Sequence, residues 1–328
     1  MARAIITDLI ISRIPGIKGG DAKKLCLKFE NPDDFLLYSK KDLEFFLRHA
    51  LGAFSWDEVF ALAEKDGEAA RKQGIKLASL RDEEYPALLR EIYDPPAVIF
   101  YRGLLPNQEK PLAAIVGTRK PSSGAAAQAY ALGRDLGRMG IGVASGLALG
   151  IDSMAQRGNI EGGGAAAAVL GSGPDMIYPA SNRPLARRIL QGGGVVLSEY
   201  PPGTVPQKWH FPARNRIISA LARGCVIVEA PAKSGALITA GFVLEQGRDI
   251  WIASSGLSAV YGEGTSRLAE EGAKVISSAR EIAEEWNLTP SGETAEKEVP
   301  AESGADFPAA SFAEKLAAKL AENLNIKL

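Results

Sequence analysis

Apolar residues in the first 75 positions recur at three- and four-residue spacing, the period of helices packed on one side. Ala22, Leu25 and Cys26 fall on one face of a helix that Asp21 can cap. A further helix is predicted from Asp57 to Lys72, stopping at Gly74. Between two helical stretches sits Ile14-Pro15-Gly16-Ile17-Lys18-Gly19-Gly20, which has the look of a helix–hairpin–helix turn. Such turns point backbone amides at a DNA phosphate, and they also serve as packing or protein-binding modules. Tyr85-Pro86 and Asp94-Pro95-Pro96 punctuate a connector, assigned to residues 76–110, and lead to the short apolar run Ala97-Val98-Ile99-Phe100.

From Pro111 onward short apolar runs alternate with helical segments. Strands are predicted at 112–116, 141–145, 165–170, 194–197, 225–229 and 249–253, with a last one near 273–276. Most lack period-two alternation, as expected for strands covered on both faces. Helices are predicted near 124–139, 151–159, 185–191, 214–222 and 236–246. This repetition predicts an α/β fold, a doubly wound, mostly parallel sheet over residues 111–283 that follows an all-α domain over 1–75. Residues 284–311 are rich in Pro, Gly, Ser, Thr, Glu and Ala and read as a linker. Phe312, Leu316, Leu320 and Leu324 then give residues 312–328 the pattern of one short amphipathic helix.

Composition narrows the function. The 328 residues carry 38 Lys and Arg against 39 Asp and Glu, so a nucleic-acid surface must be a local patch. Two cysteines, Cys26 and Cys225, make neither a disulfide framework nor a zinc spacing, and two histidines leave little for a metal cluster or a triad. No apolar run approaches the length of a membrane span, and no secretory leader pattern opens the chain. A cytoplasmic protein without metal or cofactor is expected.

Ligands of open parallel sheets bind beyond the carboxyl ends of the strands. Here those ends read Gly117-Thr118-Arg119-Lys120, Ser145-Gly146-Leu147-Ala148-Leu149-Gly150, Gly171-Ser172-Gly173, Ser234-Gly235 and Ser254-Ser255-Gly256. Glycines that let a backbone approach a ligand, beside helix starts, suggest a phosphate-bearing ligand. The dinucleotide fingerprint is missing, and Ala144-Ser145 stands where a ribose-binding acid would close the second strand. Gly117 can equally be a tight turn and Arg119 an ion-pair partner.

The run Lys208-Trp209-His210-Phe211-Pro212-Ala213-Arg214-Asn215-Arg216 interleaves basic and aromatic residues, and no acid lies between Glu199 and Glu229. Arg183, Arg187 and Arg188 lie in a second acid-free stretch. Arginine forks match phosphate oxygens, and aromatic faces stack unpaired bases, so single-stranded nucleic acid fits better than duplex. The competing interpretation has Phe211 in the core, Pro212 opening a helix and the arginines paired with carboxylates. Asp152, Asp175 and Glu199 near strand ends are acid–base candidates, with helix capping and the positioning of loops or arginines as the alternative.

The segment from about Tyr85 to Ala273 resembles the DNA-processing protein A family, also called Smf. Matching pieces occur in family order: Val116-Gly117-Thr118-Arg119, Ser145 to Asp152, Val169 to Asp175 with Tyr178-Pro179, Ser198 to Gly203, Phe211 to Ile218, Val228-Glu229-Ala230 and Ser234 to Ala240. The resemblance implies an extended Rossmann-like domain preceded by a SAM- or helix–hairpin–helix-like helical domain. It also implies a dimeric, non-enzymatic mediator that binds single-stranded DNA and loads RecA onto strands protected by single-strand-binding protein, as in natural transformation. Carried over, Gly117, Thr118, Arg119, Lys120, Lys208, Phe211, Arg214, Asn215 and Arg216 form the DNA pocket, with Phe211 stacking, the basic groups on phosphates and Asn215 orienting arginines or touching a base. Gln156 stands where the family usually has histidine, Ser254-Ser255 replaces a Pro-Gly turn, and the C-terminal segment is too short for the winged helix of many relatives.

Two other functions compete. A nucleotide or phosphosugar hydrolase can use a similar sheet, although the Pro-Gly-Gly-x-Gly-Thr-x-x-Glu signature is missing. A protein adaptor with a vestigial pocket predicts RecA binding that survives alanine at Arg119, Arg214 and Arg216.

Overall fold

The computed structural model describes residues 3–17, 19–106, 111–257, 259 and 262–288. Lys18, most of the predicted linker and the amphipathic segment 312–328 lie outside the described residues. Helices α1 (Arg3–Arg13), α2 (Asp21–Lys28), α3 (Lys40–Leu47) and α4 (Trp56–Lys72) come first. Ser39 with Asp42, and Ser55 with Glu58, form capping boxes that satisfy otherwise orphaned amides at the starts of α3 and α4. At α2 the cap position is Gly20, with φ 77°, and Asp21 is instead the first helical residue. Its buried carboxylate lies 2.7 Å from Nε2 of His49.

Strand β1 (Lys76–Ser79), helix α5 (Ala87–Glu91) and strand β2 (Val98–Gly103) follow. Residues 76–110 are therefore no mere connector. β1 pairs antiparallel with β2, which pairs antiparallel with β6 (Val195–Ser198). The four-residue β1 is too short to show a pattern of its own, and its pairing is what makes it a strand. The remaining elements alternate: β3 (Leu112–Val116), α6 (Ser123–Arg138), β4 (Gly142–Ser145), α7 (Ile151–Glu161), β5 (Ala167–Val169), α8 (Arg183–Gln191), β6, α9 (His210–Ala220), β7 (Gly224–Ile227), α10 (Gly235–Glu245), β8 (Asp249–Ala253), α11 (Glu263–Glu270), β9 (Lys274–Ile276) and α12 (Ala279–Glu285). The sheet order is β1-β2-β6-β5-β4-β3-β7-β8-β9, parallel from β6 through β9. Helix α9 begins at His210 instead of Arg214, because Pro212 falls in its first turn, where a missing N–H costs nothing.

Alternate residues of each strand feed opposite cores. Ala113 and Ile115 pack with Leu132, Leu136 and Ala155 of α6 and α7, and with Ile282 of α12. Ala114 and Val116 join a core that holds Ile217 and Ile218 of α9, Val243 of α10 and the amino-terminal helices, including Leu9, Leu25 and Leu43. The result is a mixed α/β fold, a parallel sheet core with flanking helices. On the amino-terminal side, Arg81 clamps α1 through Asp8 at 3.0 Å.

Helices α6 and α7 are locked backbone to backbone. A methyl at Gly133 would overlap the Ala155 carbonyl oxygen, one at Gly158 the Tyr130 oxygen, and one at Gly162 the Arg134 oxygen. Buried Asn159 stitches the contact, donating to the carbonyls of Gly133 (3.1 Å) and Ile141 (2.9 Å) and accepting from the Val143 amide (3.2 Å). This close packing brings the loops that open α6 and α7 side by side at the carboxyl edge of the sheet.

Candidate nucleic-acid interface

Strand order reverses between β3 and β7, and the crevice of an open sheet lies at such a reversal. The loop after β3 carries Gly117 to Lys120. The Thr118 amide donates to the Glu229 carbonyl at 2.7 Å, and the Thr118 carbonyl accepts from the Ile151 amide at 3.2 Å, tying three strand ends together. The glycines here serve the chain's own contacts. A Cβ at Gly117 would lie 2.7 Å from Cγ1 of Ile151, and one at Gly146 would lie 2.5 Å from the Arg214 guanidinium. Gly150 has φ 78° and passes against the backbone of Thr118 and Arg119. At these three positions the missing side chain makes room for neighbouring protein atoms.

The basic–aromatic run splits into two populations. Arg214 is 4% exposed. Its Nη1 donates to the Gly146 carbonyl at 2.9 Å and to the Val169 carbonyl, and its Nε donates to Asn215 Oδ1 at 3.3 Å. Burial lowers its pKa to about 10, while the charge of Asp152 favours its protonated form. Arg216 grips Glu199 with both arms at 2.7 Å and reaches Asp94 with Nε at 3.1 Å. Burial alone would depress its pKa, but Glu199 overrides that and holds it above the ordinary arginine value. Asn215 Nδ2 donates to the Gly235 carbonyl at 3.2 Å. The structure therefore gives these three residues protein partners: Arg216 is paired with carboxylates, as the alternative interpretation of the run had it, whereas Arg214 is held by backbone carbonyls and Asn215.

Arg119, Lys120 and Lys208 are exposed, and among the described residues none of them forms an ion pair. The Arg119 guanidinium carbon lies 5.5 Å from the Phe211 ring centroid, a cation–π contact. Phe211 is half-buried and meets Tyr178 at 5.7 Å with ring planes 43° apart. Trp209, beside Lys208, is 68% exposed and Tyr178 is 47% exposed. Tyr178 was not singled out as a site residue from the sequence, and the aromatic two residues beyond Met176 after the Gly171-Ser172-Gly173 turn was the available signal. His210 is spoken for: its Nδ1 lies 3.0 Å from the Gly171 carbonyl and its ring stacks on Tyr200 at 3.9 Å.

The acid–base candidates are engaged likewise. Asp152 Oδ2 accepts from the amides of Gly146 (3.0 Å) and Ala148 (3.4 Å), Asp175 accepts from the Gly203 amide (3.0 Å), and Glu199 holds Arg216. Burial raises the Asp152 pKa, with Arg214 and the loop amides opposing it. The Asp152 bonds, with Asn182 donating to the Leu147 carbonyl at 2.9 Å, hold Leu147 at a positive φ of 55°, a conformation rare for a residue with a side chain. Gln156, in the place of the expected histidine, is buried and donates to the Ala167 carbonyl at 2.9 Å. Ser254 and Ser255 are both held by Gln128, at 3.0 and 2.8 Å. Among the described residues no group of His, Cys, Asp or Glu could hold a metal ion, and no helix is long and apolar enough to cross a membrane.

Residues 76–287 match the family model described as DNA recombination-mediator protein A. The chain belongs to this family. Among recombination-mediator protein A relatives, the DNA processing protein DprA of Bacillus subtilis is 43% identical over 220 residues, covering 66% of this chain and 73% of that protein. The X-ray structure of DNA processing protein A from Streptococcus pneumoniae superimposes with a TM-score of 0.71 at 32% identity, over 87% of this chain and 98% of that one. The Helicobacter pylori DNA processing protein A, solved in a study of its single-stranded DNA binding mode, gives a TM-score of 0.57 at 27% identity, over 65% of this chain and 96% of that one. The family match begins at β1, so it includes the antiparallel strands β1 and β2 and leaves out α1 to α4.

Proposed function

We propose that this recombination mediator binds single-stranded DNA along the rim of the crevice. Phosphates meet Arg119, Lys120 and Lys208, while unpaired bases stack on Trp209, Phe211 and Tyr178. Gly117 and Thr118 shape the β3 loop that carries Arg119. Arg214, Asn215 and Arg216 act as positioning residues: their bonds hold α9, and with it the aromatic rim, against the strand ends. The observation that carries this reading is the pairing of exposed cations with aromatic side chains at one edge, Lys208 next in sequence to a Trp209 that is 68% exposed and Arg119 over the half-buried Phe211. Duplex offers no unpaired base to such faces.

In this reading the bound strand is handed to RecA in exchange for single-strand-binding protein, as in natural transformation, by a homodimer working in the cytoplasm without cofactor or catalytic turnover. The domain is an extended Rossmann-like, doubly wound unit, and α1 to α4 form a SAM- or helix–hairpin–helix-like companion packed on it. The hydrolase alternative finds no support at the crevice, since Asp152, Asp175 and Glu199 each hold a loop or an arginine.

Fluorescence anisotropy of a labelled single-stranded oligonucleotide across a salt series, competed with duplex of equal length, tests the reading. Each phosphate contact contributes about −0.7 to the log–log slope. Preference for the single strand with a slope of several contacts is expected, and equal or absent binding at low salt overturns it. RecA filament formation on strand coated with single-strand-binding protein then tests the hand-over.

A further inference from the structure

Helix α8 lies in the second acid-free stretch of the chain, Met176 to Ser198, and the crevice leaves its arginines without a task. Leu185, Ala186 and Ile189 of this helix are buried with Leu147, Leu170 and Val196. Helical spacing therefore turns Arg183, Arg187 and Arg188 to the opposite side, and all three are exposed. Arg188 meets Glu161 of α7 at 3.2 Å, and Glu161 also accepts from the Tyr130 hydroxyl. Arg157, exposed one turn before Glu161, acts on the same carboxylate. Arg183 and Arg187 form no ion pair among the described residues. Their placement works against α8 itself. Arg183 opens the helix, where the macrodipole disfavours a cation, and Arg187 stands one turn on, where like charges repel. An exposed pair of cations that weakens its own helix and meets no acid is suited to an anion from outside the chain.

This face adjoins the crevice rim. Tyr178, whose ring meets Phe211 at 5.7 Å, precedes Arg183 by a chain contour of at most about 17 Å. The turn between them is fixed, because Asn182 donates to the carbonyls of Leu147 at 2.9 Å and Ala148 at 3.3 Å. We propose that Arg183 and Arg187 carry the backbone of the same single strand onward from the aromatic rim across the exposed face of α8. This rests on the nucleic-acid reading above and deepens it by extending the strand's path outside the crevice. Two cations separated by a rise of about 6 Å suit successive phosphodiesters, each of which one arginine can meet. Helix α8 has no aromatic residue, so this part of the path reads phosphates and no bases. An acidic polypeptide could meet the same charges, but adjacency to the rim favours the strand.

Anisotropy of the full chain with labelled oligothymidylates of about 5 and about 20 nucleotides separates the rim from its extension. The double variant Arg183→Gln/Arg187→Gln is expected to make the salt slope for the longer strand shallower by about 1.4, two contacts at about 0.7 each. The slope for the shorter strand is expected to stay as it is. Arg183→Lys/Arg187→Lys keeps both charges and is expected to keep the native slope. Thermal unfolding of both variants should match that of the native chain, since neither arginine has an ion pair to lose. An unchanged slope in the glutamine variant overturns the inference. An equal loss with both lengths also overturns it, because the arginines would then belong to the rim. A loss shared by the lysine variant overturns the phosphate contact in favour of a structural role. Labelled polyglutamate that binds as tightly as the longer strand, and loses its binding in the glutamine variant, would make an acidic protein the partner and overturn the strand. Failure of the underlying reading looks different. A native chain that ignores the shorter strand, yet binds the longer one with a slope set by Arg183 and Arg187, sinks the rim and keeps the α8 contact.

Discussion

Arg214 and Lys208 belong to one short basic run, yet one is sealed beneath the sheet edge and the other stands in solvent. The floor of the crevice, Arg214 and Arg216, spends its charge on backbone carbonyls and on Glu199 and Asp94. The rim, Arg119, Lys120 and Lys208, has charge to offer a ligand. A guanidinium already bidentate to a carboxylate has lost the fork geometry that would recognise a phosphate. The difference teaches that burial divides one basic motif into residues that hold the chain's own backbone and residues whose charge is left to solvent.

The sharpest way to break that division is Arg214→Ala. The change leaves the carbonyls of Gly146 and Val169 and the charge of Asp152 without their buried partner. A loss of about 3–5 kcal/mol in urea unfolding is expected. A stable variant that has lost only DNA affinity would instead return Arg214 to the contact surface. Next in size, a double-mutant cycle with Arg216→Ala and Glu199→Ala is expected to show a coupling of about 1.5–3 kcal/mol in stability. Additive losses would mean that the pair contributes no more than two independent side chains.

Much of this division lay beyond the sequence for a physical reason. The parallel strands were legible because strands buried on both faces are apolar throughout, and β3 and β8 coincide with the predicted runs 112–116 and 249–253. β1 was not, because Lys76–Ser79 becomes a strand only through its pairing with Val98–Tyr101. The glycine-rich strand ends were legible as tight turns at the carboxyl edge of the sheet, but that the glycines make room for Ile151 and Arg214 depends on what packs opposite. Likewise, Arg216 meets Glu199 and Asp94, which lie 17 and 122 positions away along the chain. No spacing rule connects them.

On the rim, Trp209→Ala is expected to cost about 1–3 kcal/mol of single-strand affinity, the range for one stacked base. Its unfolding free energy should stay within about 0.5 kcal/mol of the native chain, because the side chain is 68% exposed. A large loss of stability with affinity intact would place Trp209 in the scaffold and shrink the rim.

The finest contrast is between Lys208 and the arginines below it. Lys208→Gln keeps a long polar side chain at an exposed position and removes one charge. If that charge neutralises a phosphate, the salt slope for single-strand binding becomes shallower by about 0.7, while affinity falls to a similar degree for every oligonucleotide sequence. Stability should be unchanged within about 0.5 kcal/mol, since among the described residues Lys208 forms no ion pair that would be lost. The slope matters more than the affinity, because a distorted scaffold can weaken binding without changing the number of neutralised phosphates. An unchanged slope with weaker binding would therefore move Lys208 from grip to scaffold and leave Arg119 and Lys120 to carry the strand.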